Sequence, residues 1–361
     1  MKLLYITPRI SGAGGLQRVL SVKTDYLIKK RYEVAILATN ADSDEIVYDF
    51  NPEISYNTIN PDRRFFKYFN SYKKKIRNMV AAIDPDVVII CDNGLKGYLI
   101  PFILKDYPLV YERHITRYIK NEQGRPFFSK LKDRFTTLFA GYVSSKFDRF
   151  VLLTEAAKKE WSSKNVSVIP NPLWFETDEA SSLSNKIVLA VGRHTHQKGY
   201  DRMLDIWSST IQKYPDWKLK IYGKANPDYD VMSMAKERGV EQSIIFEEPQ
   251  QDIIQAYREA SLFLLTSYWE GFGMVLIEAM ANGVPCIAFD CPVGPSEIIE
   301  DGYNGFLVQD GNIDEYISKV DLLITDAFLR KKMGKQALQS VSKFKIGPIM
   351  ERWISLFNGL K

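Results

Sequence analysis

A chain of 361 residues is longer than a single core usually grows, so length alone argues for two domains. Hydrophobic residues at 45% and charged residues at 25% suit a globular protein with a full core, and no run of 18 apolar residues offers a membrane-spanning helix. The net charge of +4 hides an asymmetry: residues 1–170 carry 28 Lys and Arg against 18 Asp and Glu, and the remainder carries 20 against 26. The basic first half should face something anionic. Three cysteines, Cys91, Cys286 and Cys291, are too few and too irregularly spaced for a disulfide framework or a zinc site, which suits a reducing cytosol.

In chain order, MKLLYITP is a short apolar run broken by Pro8 and Arg9, which reads as a buried strand rather than a signal peptide. KLLYIT, EVAILAT, DVVIIC, LVYER and RFVLLT are the strands expected of the first half, with a helix over 15–31 between the first two. GAGGLQ follows the first strand like a dinucleotide fingerprint. Gln17 stands where its third glycine belongs, however, and the second strand ends at Thr39 and Asn40 without a ribose-binding acid, which argues against a dehydrogenase. No G-x-S-x-G elbow supports a hydrolase.

RRFFKYFNSYKKKIR, residues 63–77, holds seven Lys or Arg and five aromatics. It suits a solvated helix face with core aromatics, a face resting on anionic lipid, or a nucleic-acid surface of stacked rings and cations. Two acidic pairs, DSD at 42–44 and DPD at 84–86, imitate cation ligands, but an Asp-Pro pair ahead of a strand serves as turn and cap.

Residues 170–186, PNPLWFETDEASSLSNK, have no sustained period and read as the connection between domains. The alternation then restarts with KIVLAVG, WKLKIYG, SIIFEE, LFLLTS, VPCIAF and GFLV, separated by helices such as 200–213 and 274–282. Two Rossmann-like domains result, and the cleft between them, at the carboxyl ends of strands, is the expected active site.

Two constellations carry the chemistry. EGFGMVLIE, residues 270–278, joins a loop to a helix starting near Gly273 or Met274. The unsatisfied N–H groups and positive dipole end of a helix start favour phosphate, and glycines admit it closely. Glu278, about one turn in, can then accept from a ribose diol, and Glu270 can hold hydroxyls of a second sugar. GRHTHQKG, residues 192–199, places Arg193 and Lys198 after a strand, where guanidinium and ammonium can hold a diphosphate; the same pattern also suits a solvated basic turn.

These residues resemble the retaining glycosyltransferases of family 4, an α/β class with the GT-B fold of two Rossmann-like domains across a deep cleft. The likeness rests on the E-x7-E pair Glu270 and Glu278, on Gly192, Arg193, Lys198 and Gly199, and on Gly14 and Gly15. DCPVGPSEIIEDGYNGFLV, residues 290–308, adds a likeness to hexosyltransferases that extend bacterial surface polysaccharides. The resemblance implies an acceptor domain over 1–170, a donor domain over 171–344, and a C-terminal helix, 345–361, that returns to the first.

The resemblance also implies that Arg193 and Lys198 stabilise the departing diphosphate and that Glu278 binds ribose. Glu270, with the backbone of Phe272, Gly273, Met274 and Val275, would hold the donor sugar. Gly14 and Gly15 would bring backbone near the phosphate from the other domain, and His114 would stand beside the sugar. The expected activity is transfer of a hexose or N-acetylhexosamine, with retention, from a UDP-sugar to a glycan or lipid-linked acceptor, without cofactor, metal or nucleic acid. The expected place is the cytoplasm, peripheral at the inner face of the membrane through 63–77. A nucleotide-sugar 2-epimerase of the same architecture, or a basic membrane- or nucleic-acid-binding protein, is the alternative.

Overall fold

The computed structural model describes all residues except 13, 41–44, 63–64, 93, 117–135, 137, 162, 178 and 361, so DSD at 42–44 and Arg63 and Arg64 lie outside the described residues. The chain divides into two compact units. One holds the described residues up to Trp174 together with those from Ile346 on, and the other is Phe175–Lys345. The passage from one unit to the other falls inside the proline- and serine-rich run expected to connect them.

The first unit is built on a seven-stranded parallel sheet: β1 (Lys2–Thr7), β2 (Glu33–Ala38), β3 (Ser55–Thr58), β4 (Val87–Ile90), β5 (Leu109–Glu112), β6 (Arg149–Leu152) and β7 (Val166–Val168), in the order 3-2-1-4-5-6-7. The central strands are buried on both faces, which is why they read as unbroken aliphatic runs. The edges escaped the sequence reading. β3 is the polar, mostly exposed SYNT, and β7 is three residues long, so neither carries an apolar signal. LVYER, fourth among the strands expected from the sequence, is therefore the fifth strand of the chain, and His114 follows it.

The helix Gly15–Lys29 runs between β1 and β2. The C-terminal helix Ile346–Asn358 buries Ile349, Met350, Trp353 and Phe357 in the same core as Leu3, Tyr5, Leu27 and Ile89. Its apolar residues recur every three or four positions, the spacing of one helical face.

DPD forms a turn, with Asp84 at φ 51° and the Asp86 carboxylate accepting from the Lys2 backbone N–H at 2.7 Å. The aromatic, basic segment belongs to the helix Phe65–Ile83, which buries Tyr72, Ile76 and Val80 and exposes Lys67, Phe69, Lys74, Lys75 and Arg77. Lys75 and Arg77 donate to the backbone carbonyls of Asn60 and Ile103. Among the described residues, no helix is long and apolar enough to cross a membrane.

The second unit has a six-stranded parallel sheet: β8 (Ile187–Val191), β9 (Lys218–Tyr222), β10 (Ile244–Glu247), β11 (Leu262–Leu265), β12 (Cys286–Phe289) and β13 (Gly305–Val308), in the order 10-9-8-11-12-13. The order reverses between β8 and β11, and the two chemical motifs follow those two strands. That is the switch point at which such sheets leave a crevice for ligand.

Candidate active site

In the second unit the chain leaves β8 into GRHTHQKG, makes one tight helical turn over His196–Lys198, and enters the helix Tyr200–Lys213 through Gly199. Gly199 has φ 64°, and a Cβ there would stand 2.1 Å from the Thr266 carbonyl oxygen, so only glycine lets this loop lie against the end of β11. Arg202 reinforces the seam. Its guanidinium donates to the Thr266 carbonyl and to Asp310 (2.6 Å) and lies over the rings of Tyr268 and Phe289. Gln197 binds across the same seam, donating to the Trp269 carbonyl and accepting from the Tyr268 N–H.

This seam brings Lys198 to Glu270. The ammonium lies 2.7 Å from Oε1, which also accepts from Ser267 Oγ at 2.6 Å. The Lys198 side chain is 17% exposed and that of Glu270 8%, so the pair is shielded yet reachable. Gly192 makes room for the Lys198 stem, whose carbons would stand 3.2 Å from a Cβ there. Arg193 is exposed and forms no ion pair among the described residues. The sequence motif thus yields one lysine bound to the carboxylate and one arginine open to solvent.

The helix Met274–Ala281 starts at Gly273, whose φ of 98° suits glycine, and no side chain caps it. Its first N–H groups are those left without intrahelical partners. Phe272 is buried against the Phe344 ring, 5.5 Å away, which fixes the loop ahead of the helix. Gly294, in the run GPSE, closes over this loop: a Cβ would meet the Phe272 carbonyl oxygen at 2.7 Å and Glu270 Cβ at 2.8 Å. Met274 and Val275 form the first turn and are partly exposed. Glu278 is buried, and its Oε2 accepts from Tyr257 Oη at 2.7 Å.

In the first unit Gly14 precedes the helix Gly15–Lys29 in extended conformation, again without a side-chain cap, and no atom of the described residues lies within 4 Å of where a Gly15 side chain would project. His114 stands after β5 with Nε2 3.3 Å from Glu112 Oε1. Two surface hollows of the first unit, about 420 and 480 Å³, lie against β3 and the helix Phe65–Ile83; Lys75 of the basic segment lines the first, and neither holds one of the expected donor-binding residues.

Sequence reasoning missed Ser267, Tyr257 and Arg202, which hold Glu270, Glu278 and the loop seam. It also missed Lys23 and Glu112, which are buried together in the first unit. Ser267 and Tyr257 are common residue types without motif spacing, and Lys23 and Glu112 lie 89 positions apart. The one available signal was a lysine inside an amphipathic helix where the face turns inward.

Comparison with known proteins adds two family models. The chain matches "Glycosyltransferase Family 4" over residues 13–173 and "Glycosyl transferases group 1" over 175–340. It is 30% identical to the amylovoran biosynthesis glycosyltransferase AmsD of Erwinia amylovora, covering 99% of each chain. It is 29% identical to an uncharacterized glycosyltransferase of Haemophilus influenzae, covering 98% of each. Among solved structures it is similar to a variant of S. aureus TarM in complex with fondaparinux, alpha-GlcNAc-glycerol and UDP. There the TM-score is 0.82 at 15% identity, over 99% of each chain.

Proposed function

The chain is a member of the family 4 glycosyltransferases, with the GT-B fold, and from that premise we propose that it moves a hexose or N-acetylhexosamine from a UDP-sugar to a glycan acceptor in surface-polysaccharide biosynthesis, with retention at the anomeric carbon. The observation that carries this is the Lys198–Glu270 pair beside an uncapped helix start. A carboxylate for sugar hydroxyls, an ammonium for diphosphate and free N–H groups for phosphate sit at one switch point.

In this proposal the donor's hydroxyls replace Lys198 as partners of Glu270, and the freed ammonium turns to the diphosphate with Arg193. Backbone at Phe272, Gly273, Met274 and Val275 lines the sugar and phosphate, Glu278 takes the ribose diol, and the first-unit residues Gly14, Gly15 and His114 also touch donor. The developing charge on the leaving diphosphate is the main obstacle, and a preorganised donor of this kind is worth about 3 kcal/mol in the transition state. The acceptor hydroxyl attacks from the face the diphosphate leaves, and its proton passes to the departing diphosphate oxygen as the bond from that oxygen to the anomeric carbon breaks. We infer no need for a divalent ion, so turnover should survive EDTA.

UDP is the nucleotide of the TarM complex and the first to try. The lipid-linked acceptor and the contact with anionic membrane through residues 63–77 belong to the same proposal, supported by the exposed Lys67, Phe69 and Lys74. The test is a panel of nucleotide sugars with release of nucleoside diphosphate as readout. Acceptor-dependent UDP release that disappears in Glu270→Gln and Lys198→Ala supports the proposal. Acceptor-independent formation of a 2-epimeric nucleotide sugar, without net UDP release, would replace it with the epimerase.

A further inference from the structure

Arg113 follows β5 directly, its backbone N–H still donating to the Val151 carbonyl, and the residue is only 8% exposed. A guanidinium so deep is normally met by a carboxylate, because burial strips its water and leaves the charge uncompensated. Among the described residues Arg113 forms no ion pair. Glu112, its neighbour in sequence, is no substitute. Successive side chains of a strand point to opposite faces, and both Glu112 oxygens already accept from Lys23 Nζ, at 2.6 and 2.7 Å. That ammonium lies 3.6 Å from the Trp353 ring of the C-terminal helix, closed away on the other side. Glu160 accepts from Thr116 Oγ1 instead.

What holds Arg113 is neutral. Its Nε donates to the Ile115 carbonyl at 3.0 Å, its Nη1 donates to Tyr98 Oη at 2.7 Å, and the Trp161 ring lies 5.4 Å from the guanidinium carbon. Tyr98 is itself fixed, buried and stacked on the Tyr111 ring at 5.0 Å and 9°. These partners set the fork in one orientation without cancelling its charge. Nη2 is left over. It bonds to none of the described residues, and it is not one of the unpartnered polar atoms sealed from solvent. Ile115, two positions on, is 41% exposed, so the chain reaches the surface beside it. Burial hides the stem and the Nε edge, and the Nη2 edge keeps its contact with solvent.

A rigid, uncompensated guanidinium with one open edge is a receptor for an oxyanion, because its N–H donors match two oxygens of a phosphate or carboxylate at once. We propose that Arg113 holds an anionic group of the acceptor, phosphate or carboxylate, at the carboxyl end of β5, the end of a parallel sheet beyond which ligands bind. The basic first half of the chain thereby gains a specific point of contact with its anionic partner. That this anion belongs to the acceptor rests on the function proposed above; the oxyanion site itself does not.

The experiment follows the Arg113 side chain directly. With 15N-arginine labelling, the Nε–H resonance lost in Arg113→Lys identifies Arg113. UDP is added first, to saturation, so that Arg193 and Lys198 of the second unit are occupied. Inorganic phosphate, methyl β-glucuronide and the neutral methyl β-glucoside are then titrated separately. The expected result is a saturable shift of the Arg113 resonance with phosphate or with glucuronide and none with glucoside; phosphate alone marks a phosphate-bearing acceptor, and glucuronide alone marks an acidic sugar. UDP affinity by calorimetry should be the same in Arg113→Gln as in the parent, and Arg113→Lys serves this comparison should the glutamine variant not fold. An Arg113 resonance that neither anion moves overturns the proposal. So does one that UDP moves and the anions then leave alone, which would put Arg113 on the donor. Anion binding in a protein that shows no acceptor-dependent UDP release would sink the proposed function and leave the oxyanion site standing; UDP release without anion binding would do the reverse.

Discussion

Two lysine–glutamate pairs of nearly equal length, Lys198–Glu270 at 2.7 Å and Lys23–Glu112 at 2.6 Å, serve opposite ends. The first sits at the open end of a sheet, with the lysine side chain 17% exposed, and in the proposed function the donor takes both partners. The second is sealed by helix, strand and tryptophan, and nothing from solvent reaches it. Under the proposed function, identical chemistry is a binding device in one place and a fixture in the other, and burial is what tells them apart.

The largest expected effect separates the pairs directly. Lys23→Met strands the Glu112 carboxylate and should cost the first unit about 3–5 kcal/mol, since removing one partner of a buried ion pair leaves an uncompensated charge. Denaturant unfolding followed by fluorescence, with Trp353 in that core, reads the loss. Lys198→Met should hardly move unfolding while removing most turnover. If the two variants unfold alike, the division into fixture and device is mistaken.

Next in size is the effect on nucleotide affinity. Glu278 is buried and hydrogen-bonded to Tyr257, which holds its carboxylate in place for the ribose contact proposed above. Glu278→Gln should weaken UDP binding by about 1.5–3 kcal/mol, the range for a hydrogen bond to a charged group. Calorimetry showing parental affinity would remove Glu278 from the ribose. Glu112→Gln should leave UDP affinity in the second unit untouched.

Acidity should divide the units at different pH. His194 is buried between Tyr200 and Phe246, and burial lowers its pKa despite the opposing pull of Glu248 and Asp230. The folded second unit then binds this proton less readily than the unfolded chain. Its stability is full above the ordinary histidine value near 6.5 and declines as pH falls from there toward the lowered folded value. Glu112 behaves as a depressed carboxylate: its contribution is full above about 4.3, the ordinary glutamate value, and is lost only as pH falls further. Thermal unfolding across this range should show the second unit weakening first, and His194→Phe should flatten that early decline. Simultaneous loss in both units would contradict the assignment.

The same contrast explains how much the sequence disclosed. The places of Glu270, Glu278, Arg193 and Lys198 in the fold were legible because each motif is a short run between a buried strand and a helix, so local spacing almost fixes position. The restart of strands after residue 186 likewise exposed two Rossmann-like units. The Lys23–Glu112 pair was not legible, since 89 positions separate its members and nothing local to either specifies the other. β3 escaped because an exposed edge strand needs no apolar pattern. The direct Lys198–Glu270 bond was also unforeseen: the motifs suggested separate jobs, and the loop seam made by Gly199, Arg202 and Thr266 joins them.

The smallest expected change in stability is at Gly15, and it sharpens the comparison most finely. Gly199 and Gly294 are glycines for the fold's sake, because a Cβ would strike the Thr266 carbonyl in one case and the Phe272 carbonyl and Glu270 Cβ in the other. Gly15 has neither excuse. Among the described residues no atom lies within 4 Å of the Cβ it lacks, and it opens a helix that alanine would suit at least as well. Gly15→Ala should therefore keep or raise stability, by at most about 1 kcal/mol. In the proposed function the donor's anionic group approaches this backbone, and an added methyl would hold it off the first N–H of the helix. The variant should melt no lower than the parent and yet show reduced kcat/KM for the nucleotide sugar. Parental kcat/KM would mean that the glycine loop does not touch substrate, and that the donor chemistry belongs to the second unit alone.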